Sequence, residues 1–280
     1  MKRVVVITWL ALMLGLASHP AAQSADRPRF EVASVKPSAA DPLVFPRSSP
    51  PTPGRFTMLD VPLSLLVQRA YGPLVDFQIV GGPDWLRSRR FDIQAKAENA
   101  AADMDAMLPM LKTLLEERFQ LKVHTETREM PIYALVVARD DGRLGANITP
   151  STADCSKPQH VPADMAALLQ AGRGLPCSIM PAPPRVPGSM TLRANAASMA
   201  ALARFMTGTT RRMVQDRTGL TGLYDWEMTY DRSVMSPTAQ PSESPVLTTA
   251  LQEQLGLKLE STRGPVEVLV IDSAELPDPD

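Results

Sequence analysis

Apolar positions along this chain follow two periods, one typical of strands and one typical of helices. Residues 91–97 alternate apolar and polar side chains, which predicts a strand with one buried face. Residues 104–115 carry apolar side chains at helical spacing, although Pro109 lies inside the pattern. The helix therefore either kinks at Pro109 or begins near it. From Leu114 to Ala138 the pattern predicts the end of a helix, a strand, a tight turn and a second strand.

The same succession occurs a second time towards the C-terminus. Four segments match in the same order: 56–61 with 190–195, 90–98 with 223–231, the helical faces after the first pair, and 114–138 with 250–271. Asp60 and Asn195 are the candidate N-caps of the helices that follow the first pair. We predict an internally duplicated α+β fold of two β-α-β-β-α-β-β halves, with mixed or antiparallel sheets and packed helices. The halves are expected to superpose and to share a core.

The N-terminus predicts export. Lys2 and Arg3 precede an apolar run from Val4 to Ala17, which is too short to span a bilayer comfortably, and small residues follow it. This is the pattern of a secretory signal peptide over residues 1–25. An uncleaved N-terminal anchor is the alternative. The protein is therefore expected in the periplasm or outside the cell.

Charge gives no indication of a nucleic-acid partner. Loss of Lys2 and Arg3 with the signal peptide changes the net charge from -1 to -3, because two positive charges leave. Such a near-neutral chain favours neither nucleic acid nor an anionic membrane surface, and no stable membrane insertion is expected after signal cleavage.

The two cysteines lie in a proline-rich connector. We divide the mature chain into a first α+β half (26–139), this connector (140–187), a second α+β half (188–276) and a tail (277–280). In an exported protein, Cys155 and Cys177 favour a disulfide, and two free buried thiols are the alternative. We expect no metal site, since no second Cys or His lies at ligand spacing.

Four residues are candidates for binding: Trp85, His124, Glu126 and Arg128. His124, Glu126 and Arg128 share the polar face of a predicted strand. They form either a metal or acid–base site or, as we favour, a solvated strand face, because a metal needs more than two ligands. Trp85 follows a Gly-Gly-Pro turn, where it is either a contact for a ligand or partner or a core residue.

The sequence predicts no catalytic residues and no cofactor. It lacks a Gly-x-Ser-x-Gly elbow, a phosphate-binding loop and a dinucleotide fingerprint. Paired carboxylates such as Glu116 and Glu117 fall on an exposed helix face. These observations favour a protein that binds over one that catalyses.

Several longer motifs resemble the soil-associated family of exported bacterial proteins of unknown function. The motifs are FEVASVKPS, GRFTMLDVPLSLLVQRAYG, FQIVGGPDWL, RFDIQAKA, LLEERFQLKVHTETREMPIYALVVAR, DRTGLTGLYDW and SPVLTTALQEQLGLKLESTRGPVEVLVID, and they extend from Phe30 to Asp272. The resemblance implies export, one compact domain and a Cys pair in the middle. It implies no established activity. Pro109 departs from the pattern expected before LLEERF.

Function is predicted at the level of a class. Each half is also similar to the short N-terminal domains of secretins and TonB-dependent receptors, which bind other proteins. We therefore expect a non-enzymatic, exported module that binds a protein, a peptide or a cell-envelope component. The alternatives are an extracytoplasmic ligand-sensing domain, with a cavity between the halves, and a hydrolase with an unrecognised site.

Overall fold

The computed structural model describes residues 27–39, 47–48, 52–156, 175, 177–231 and 242–278. The predicted signal peptide lies outside these residues. Helices of the described chain are all too short or too polar to cross a membrane. The helices are α1 (Leu63–Tyr71), α2 (Met104–Arg118), α3 (Met199–Thr210) and α4 (Leu247–Leu255). The strands are β1 (Val32–Pro37), β2 (Arg47–Ser48), β3 (Arg55–Pro62), β4 (Ile79–Gly81), β5 (Arg90–Lys96), β6 (Lys122–Val137), β7 (Ile148–Pro150), β8 (Ser178–Ala182), β9 (Ser189–Ala197), β10 (Val214–Asp216), β11 (Tyr224–Asp231) and β12 (Leu257–Ser273).

The strands form three sheets, and the fold is α+β with mixed and antiparallel pairing. The first outer sheet has the order β1-β5-β3-β2 and the second outer sheet the order β7-β11-β9-β8. Both are antiparallel. The central sheet has the order β10-β6-β12-β4. Its inner pair is antiparallel, and its two outer pairs are parallel.

The two outer sheets correspond strand by strand. β3 and β9 each lie beside β5 or β11, and β1 and β2 have their counterparts in β7 and β8. The counterparts β7 and β8 come from residues 140–187, so the described parts of the predicted connector supply two edge strands of the second outer sheet. The correspondence is one of topology, and the descent of the halves from a duplication stays a prediction.

The predicted hairpins at 122–138 and 257–271 are wrong. β6 is one strand of 16 residues and β12 is one strand of 17 residues. They pair with each other along their length and form the central ribbon, about 50 Å long at roughly 3.3 Å per residue. The N–H of Tyr133 points away from β12 and donates to the backbone oxygen of Met213. The nitrogen of Pro131, two residues earlier, points to the same side. The N–H that proline lacks would therefore not have paired with β12, and the ribbon continues through Pro131.

Two main hydrophobic cores lie at opposite ends of the central ribbon. The first lobe is the first outer sheet with α1 and α2, and its core includes Leu269 and Ile271 from β12. The second lobe is the second outer sheet with α3 and α4, and its core includes Leu135 from β6. The expected single shared core is therefore wrong. Instead, each half of the chain inserts its long strand into the lobe of the other half.

Equivalent bulges end β3 and β9. Asp60 and Ala196 have left-handed φ angles of 56° and 55°. The N–H of Asp60 donates to Asp92 Oδ1 at 2.8 Å, and the N–H of Ala196 donates to Asp225 Oδ1 at 2.7 Å. Each aspartate therefore satisfies a donor that the bulge turns out of the strand ladder.

These bulges correct the predicted caps and register. Asp60 and Asn195 are not N-caps, because the bulges extend each strand before its helix starts. Pro62 and Ser198 occupy the N-cap positions, and the Ser198 hydroxyl accepts from Ala201 N–H at 3.2 Å. The match of 56–61 with 190–195 is also out of register by two residues, since it places Asp60 on Ala194 rather than on Ala196.

Pro109 lies inside α2 and does not start it. The helix begins at Met104, where Asp103 Oδ1 accepts from Ala106 N–H at 2.9 Å. The capped first turn thus forms before the proline is reached, and the helix continues past it to Arg118.

Candidate functional site

The structure brings three of the four predicted binding residues together on β6. His124, Glu126 and Arg128 lie on one face, and β12 brings Asp272 to the same place. His124 Nδ1 lies 2.9 Å from Asp272 Oδ1, and His124 Nε2 lies 3.8 Å from Glu126 Oε2. Arg128 in turn forms an ion pair with Glu126. We call these four residues the His124 cluster.

Asp272 gives the His124 cluster its main electrostatic property. The hydrogen bond that the Asp272 carboxylate accepts raises the pKa of His124 above its ordinary value, against the opposing effect of desolvation, and the carboxylate of Glu126 adds to the rise. The His124 side chain is half exposed, with a relative area of 50%. Among the described residues no group of three His, Cys, Asp or Glu side chains has a geometry that could hold a metal ion. The cluster is a charged network on an open strand face.

Trp85 lies apart from the His124 cluster. It belongs to a short 3-10 helix (Asp84–Leu86), and its ring meets Phe91 edge-on with centroids 6.2 Å apart. It packs against the first core, as does Val123. Because alternate residues of a strand face opposite ways, His124 lies on the other face of the sheet from Val123. The four candidates therefore do not form one site, and Trp85 contributes to packing.

A disulfide crosses one end of the second outer sheet. Cys155 follows β7 and Cys177 precedes β8, and the structure joins them with Cα atoms 5.7 Å apart. β7 and β8 are the two edge strands of this sheet. The bond therefore ties both edges together where β9 ends at its bulge.

A cavity of about 420 Å³ lies beside the disulfide, and the sequence analysis did not identify it. Three of its walls are Ala196, Ala197 and Ala201. Counting from the N-caps Pro62 and Ser198, the corresponding positions of the first lobe hold Asp60, Val61 and Leu65. Small side chains thus leave space in the second lobe where larger ones fill the first. The sequence signal for the cavity is this alanine-rich approach to α3.

One face of α3 lines the cavity with both apolar and cationic side chains. Ala201, Arg204 and Phe205 stand three and four residues apart, so they share a helix face. Ile179 and Leu223 add apolar surface from the neighbouring segments. The cavity is therefore mostly apolar and carries one cationic side chain.

A smaller cavity of about 250 Å³ lies between α2 and the residues that lead into β1. Its charged lining residues Arg29 and Glu117 form an ion pair at 2.9 Å, and Arg118 donates to the backbone oxygen of Ala33. The polar groups that could bind a ligand in this cavity are therefore already paired within the protein. The larger cavity is the better candidate site.

Comparisons with known proteins give a family and no activity. The model of DUF3738, described as a protein of unknown function, matches residues 64–274. No curated protein and no solved structure gives a significant match. The matched region contains the second lobe, β5 and α2 of the first lobe, the His124 cluster and the cavity beside the disulfide.

Proposed function

As this chain belongs to the DUF3738 family, whose function is unknown, we propose one from its own geometry: a non-enzymatic binding module of the cell envelope. The observation that carries the proposal is the cavity of about 420 Å³ in the second lobe. Sites for small ligands have volumes of roughly 300–1,000 Å³, mostly apolar walls and a few polar groups that fix orientation. The cavity has this size and this composition.

The polar groups that line the cavity are arranged for binding rather than for catalysis. The Ser178 hydroxyl donates to the backbone oxygen of Leu175 at 2.6 Å, and the Ser198 hydroxyl caps α3. Both cysteines are in the disulfide. A nucleophilic mechanism needs a hydroxyl or thiol beside a base, whereas these groups are already engaged. Arg204 supplies charge to orient a ligand.

Export is part of the same proposal. The signal-peptide pattern at residues 1–25 supports it, and the disulfide suits an oxidising compartment such as the periplasm. A binding module in the envelope can contact small molecules, peptides and other proteins outside the reducing cytosol.

The position of the cavity favours binding within one lobe over sensing by closure of two. Its lining extends from Cys155 to Leu223 and belongs to the second lobe. A sensor that responds by moving its halves together would place its ligand between them. The central ribbon, moreover, connects the lobes by continuous strand pairing, which resists such movement.

One observation favours the hydrolase alternative, and it makes His124→Ala a useful control variant. The contact between Asp272 and His124 is the pairing that orients a histidine for acid–base chemistry. The cluster is an exposed strand face rather than a cleft, so substrate would react there without exclusion of water. We therefore assign it a surface role, with Glu126 and Arg128 as contacts for a protein partner.

The test compares variants of the cavity and of the cluster. Mature protein with the disulfide intact is incubated with envelope extract, and the retained small molecules and peptides are identified by mass spectrometry. We expect Ala201→Phe, which fills the cavity, to lose the retained compound, whereas His124→Ala keeps it. Circular dichroism checks that both variants fold.

The opposite pattern would reject the proposal. A hydrolytic activity that wild type and Ala201→Phe share and that folded His124→Ala lacks would make the His124 cluster the functional site. Retention that is equal in wild type and Ala201→Phe would remove the cavity from the proposal.

A further inference from the structure

The chemistry of the cavity also identifies a class of ligand. Resting on the proposed function, we infer that the cavity binds an amphiphilic carboxylate: an apolar chain that lies against the alanine walls and ends in a carboxylate at Arg204. Fatty acids have this chemistry, and so do peptides with an apolar C-terminal residue. The binding chemistry is the same for both sources.

Arg204 is placed to receive an anion. Helical side chains tilt towards the N-terminus of their helix, so Arg204 leans along α3 towards Ala201 and Ser198, which line the same cavity. Its guanidinium forms no ion pair or side-chain hydrogen bond within the described part of the chain. The carboxylate of Asp225 is occupied by the N–H of Ala196. The charge of Arg204 is thus available for a ligand.

The direction of α3 adds to this positive potential. Ser198 is the N-cap of α3, and the N-terminus of a helix carries a partial positive charge. Ser198 and Arg204 both line the cavity, so the helix end and the guanidinium act on the same space. A carboxylate there would meet two attractive contributions, whereas a cationic ligand would meet two repulsive ones. The geometry therefore selects the sign of the ligand charge.

The apolar part of the ligand follows from the rest of the lining. Ile179, Phe205 and Leu223 present hydrocarbon surface, and the three alanines present methyl groups. The volume of about 420 Å³ equals that of roughly 14 water molecules, at about 30 Å³ each. A small inorganic anion would leave most of this space unfilled. An apolar chain would fill it and displace water from hydrocarbon walls.

Isothermal titration calorimetry on the oxidised mature protein tests the ligand class. The probes are decanoate, decanol and decyltrimethylammonium, all below their micellar concentrations. A second pair is the tripeptide Ala-Leu-Leu with a free C-terminus and the same tripeptide as its C-terminal amide. We expect decanoate or the free tripeptide to bind, and the neutral and cationic compounds to bind at least about tenfold more weakly. The tighter of the two carboxylates shows whether the source is a lipid or a peptide.

Two substitutions locate the interaction. Arg204→Gln should weaken carboxylate binding by about tenfold or more and leave decanol binding unchanged, because it removes a charge-assisted hydrogen bond. Arg69→Gln is the matched control, an exposed arginine on α1 of the first lobe, and it should change nothing. Ala201→Leu also reduces the free volume of the cavity, but with a smaller side chain than Ala201→Phe introduces.

The outcomes separate this inference from the proposed function. If the tighter-binding carboxylate binds no better than its neutral counterpart (decanol or the tripeptide amide), or if Arg204→Gln has no effect, the carboxylate inference is overturned. If no probe binds but Ala201→Phe loses its compound from envelope extract, the inference is wrong and the cavity remains the site. If Ala201→Phe also keeps its compound, both are wrong.

Discussion

His124 shows how one contact across the central ribbon sets the properties of a surface residue. Its own strand places it beside Glu126, but the contact that raises its pKa most comes from Asp272 on β12. The protonated imidazolium is favoured because a carboxylate accepts its Nδ1–H, whereas the neutral ring loses the charge–charge attraction.

The first prediction concerns this titration. His124 should titrate above the ordinary histidine value in an NMR pH series, and Asp272→Asn should lower its pKa. A pKa that is raised by folding contributes stability that is fully present below the pKa of the unfolded chain. This contribution disappears as pH rises through the folded value. Titration of wild-type His124 at the ordinary value would show that the Asp272 contact does not persist in solution.

At the scale of elements, the bulges of β3 and β9 determine where α1 and α3 begin. Each bulge turns one backbone N–H away from its ladder, and an aspartate of the neighbouring strand accepts it. The bulge of β9 also shapes the cavity, because Ala196 is both its left-handed residue and one of the cavity walls. Asp225 therefore supports one wall of the cavity without lining it.

The second prediction tests the role of Asp225 at the bulge of β9. Asp225→Ala should lower the free energy of unfolding by about 1–3 kcal/mol, since the N–H of buried Ala196 would lose its acceptor. Asp225→Asn keeps an acceptor oxygen and should cost less. Urea denaturation measures both. Asp140→Ala, at an exposed turn, is the control, and an equal effect of Asp140→Ala and Asp225→Ala would contradict the assigned role.

At the scale of the whole molecule, the disulfide holds the second lobe closed at its bulged end. It links residues 22 apart in sequence and ties the two edge strands of one sheet. The bond limits the conformations of the unfolded chain and also forms a wall of the cavity. Stability and the shape of the cavity therefore depend on the same covalent link.

The third prediction follows from that link. Replacement of both Cys155 and Cys177 by serine should reduce stability by about 3 kcal/mol, the value expected for a loop of this length. Urea denaturation of the variant and of oxidised wild type gives the difference. A reducing agent should lower the stability of wild type towards that of the variant and leave the variant unchanged. Equal stability of oxidised and reduced wild type would contradict this account.

The fourth prediction concerns the exchange of strands between lobes. A fragment of residues 27–139 lacks Leu269 and Ile271, which are buried in its core, so it should not fold by itself. The fragment of residues 140–278 lacks Leu135, which is buried in the second core, so it should not fold by itself either. Mixed together, the two fragments should recover dispersed amide resonances in NMR spectra. A folded spectrum from either fragment alone would show that its lobe is independent.

The sequence by itself determined several of the local elements and their buried faces. Alternation at 91–97 predicts β5, and helical spacing predicts α1, α2 and α3, because each pattern reports which side of one element meets a core. The α+β class and the disulfide pair also follow from the sequence. These properties depend on neighbours along the chain or on composition, which a single sequence contains.

Only the tertiary structure decided which segments meet. The tract from Thr127 to Pro131 is compatible with a turn or with an extended strand, and pairing with Arg263–Glu267 selects the strand. Asp272 reaches His124 across 148 residues, and the cavity exists because small residues of β9 and α3 face each other beside a disulfide. Hydrogen-bond partners and unfilled space belong to pairs of distant segments, so periodicity within one segment does not specify them.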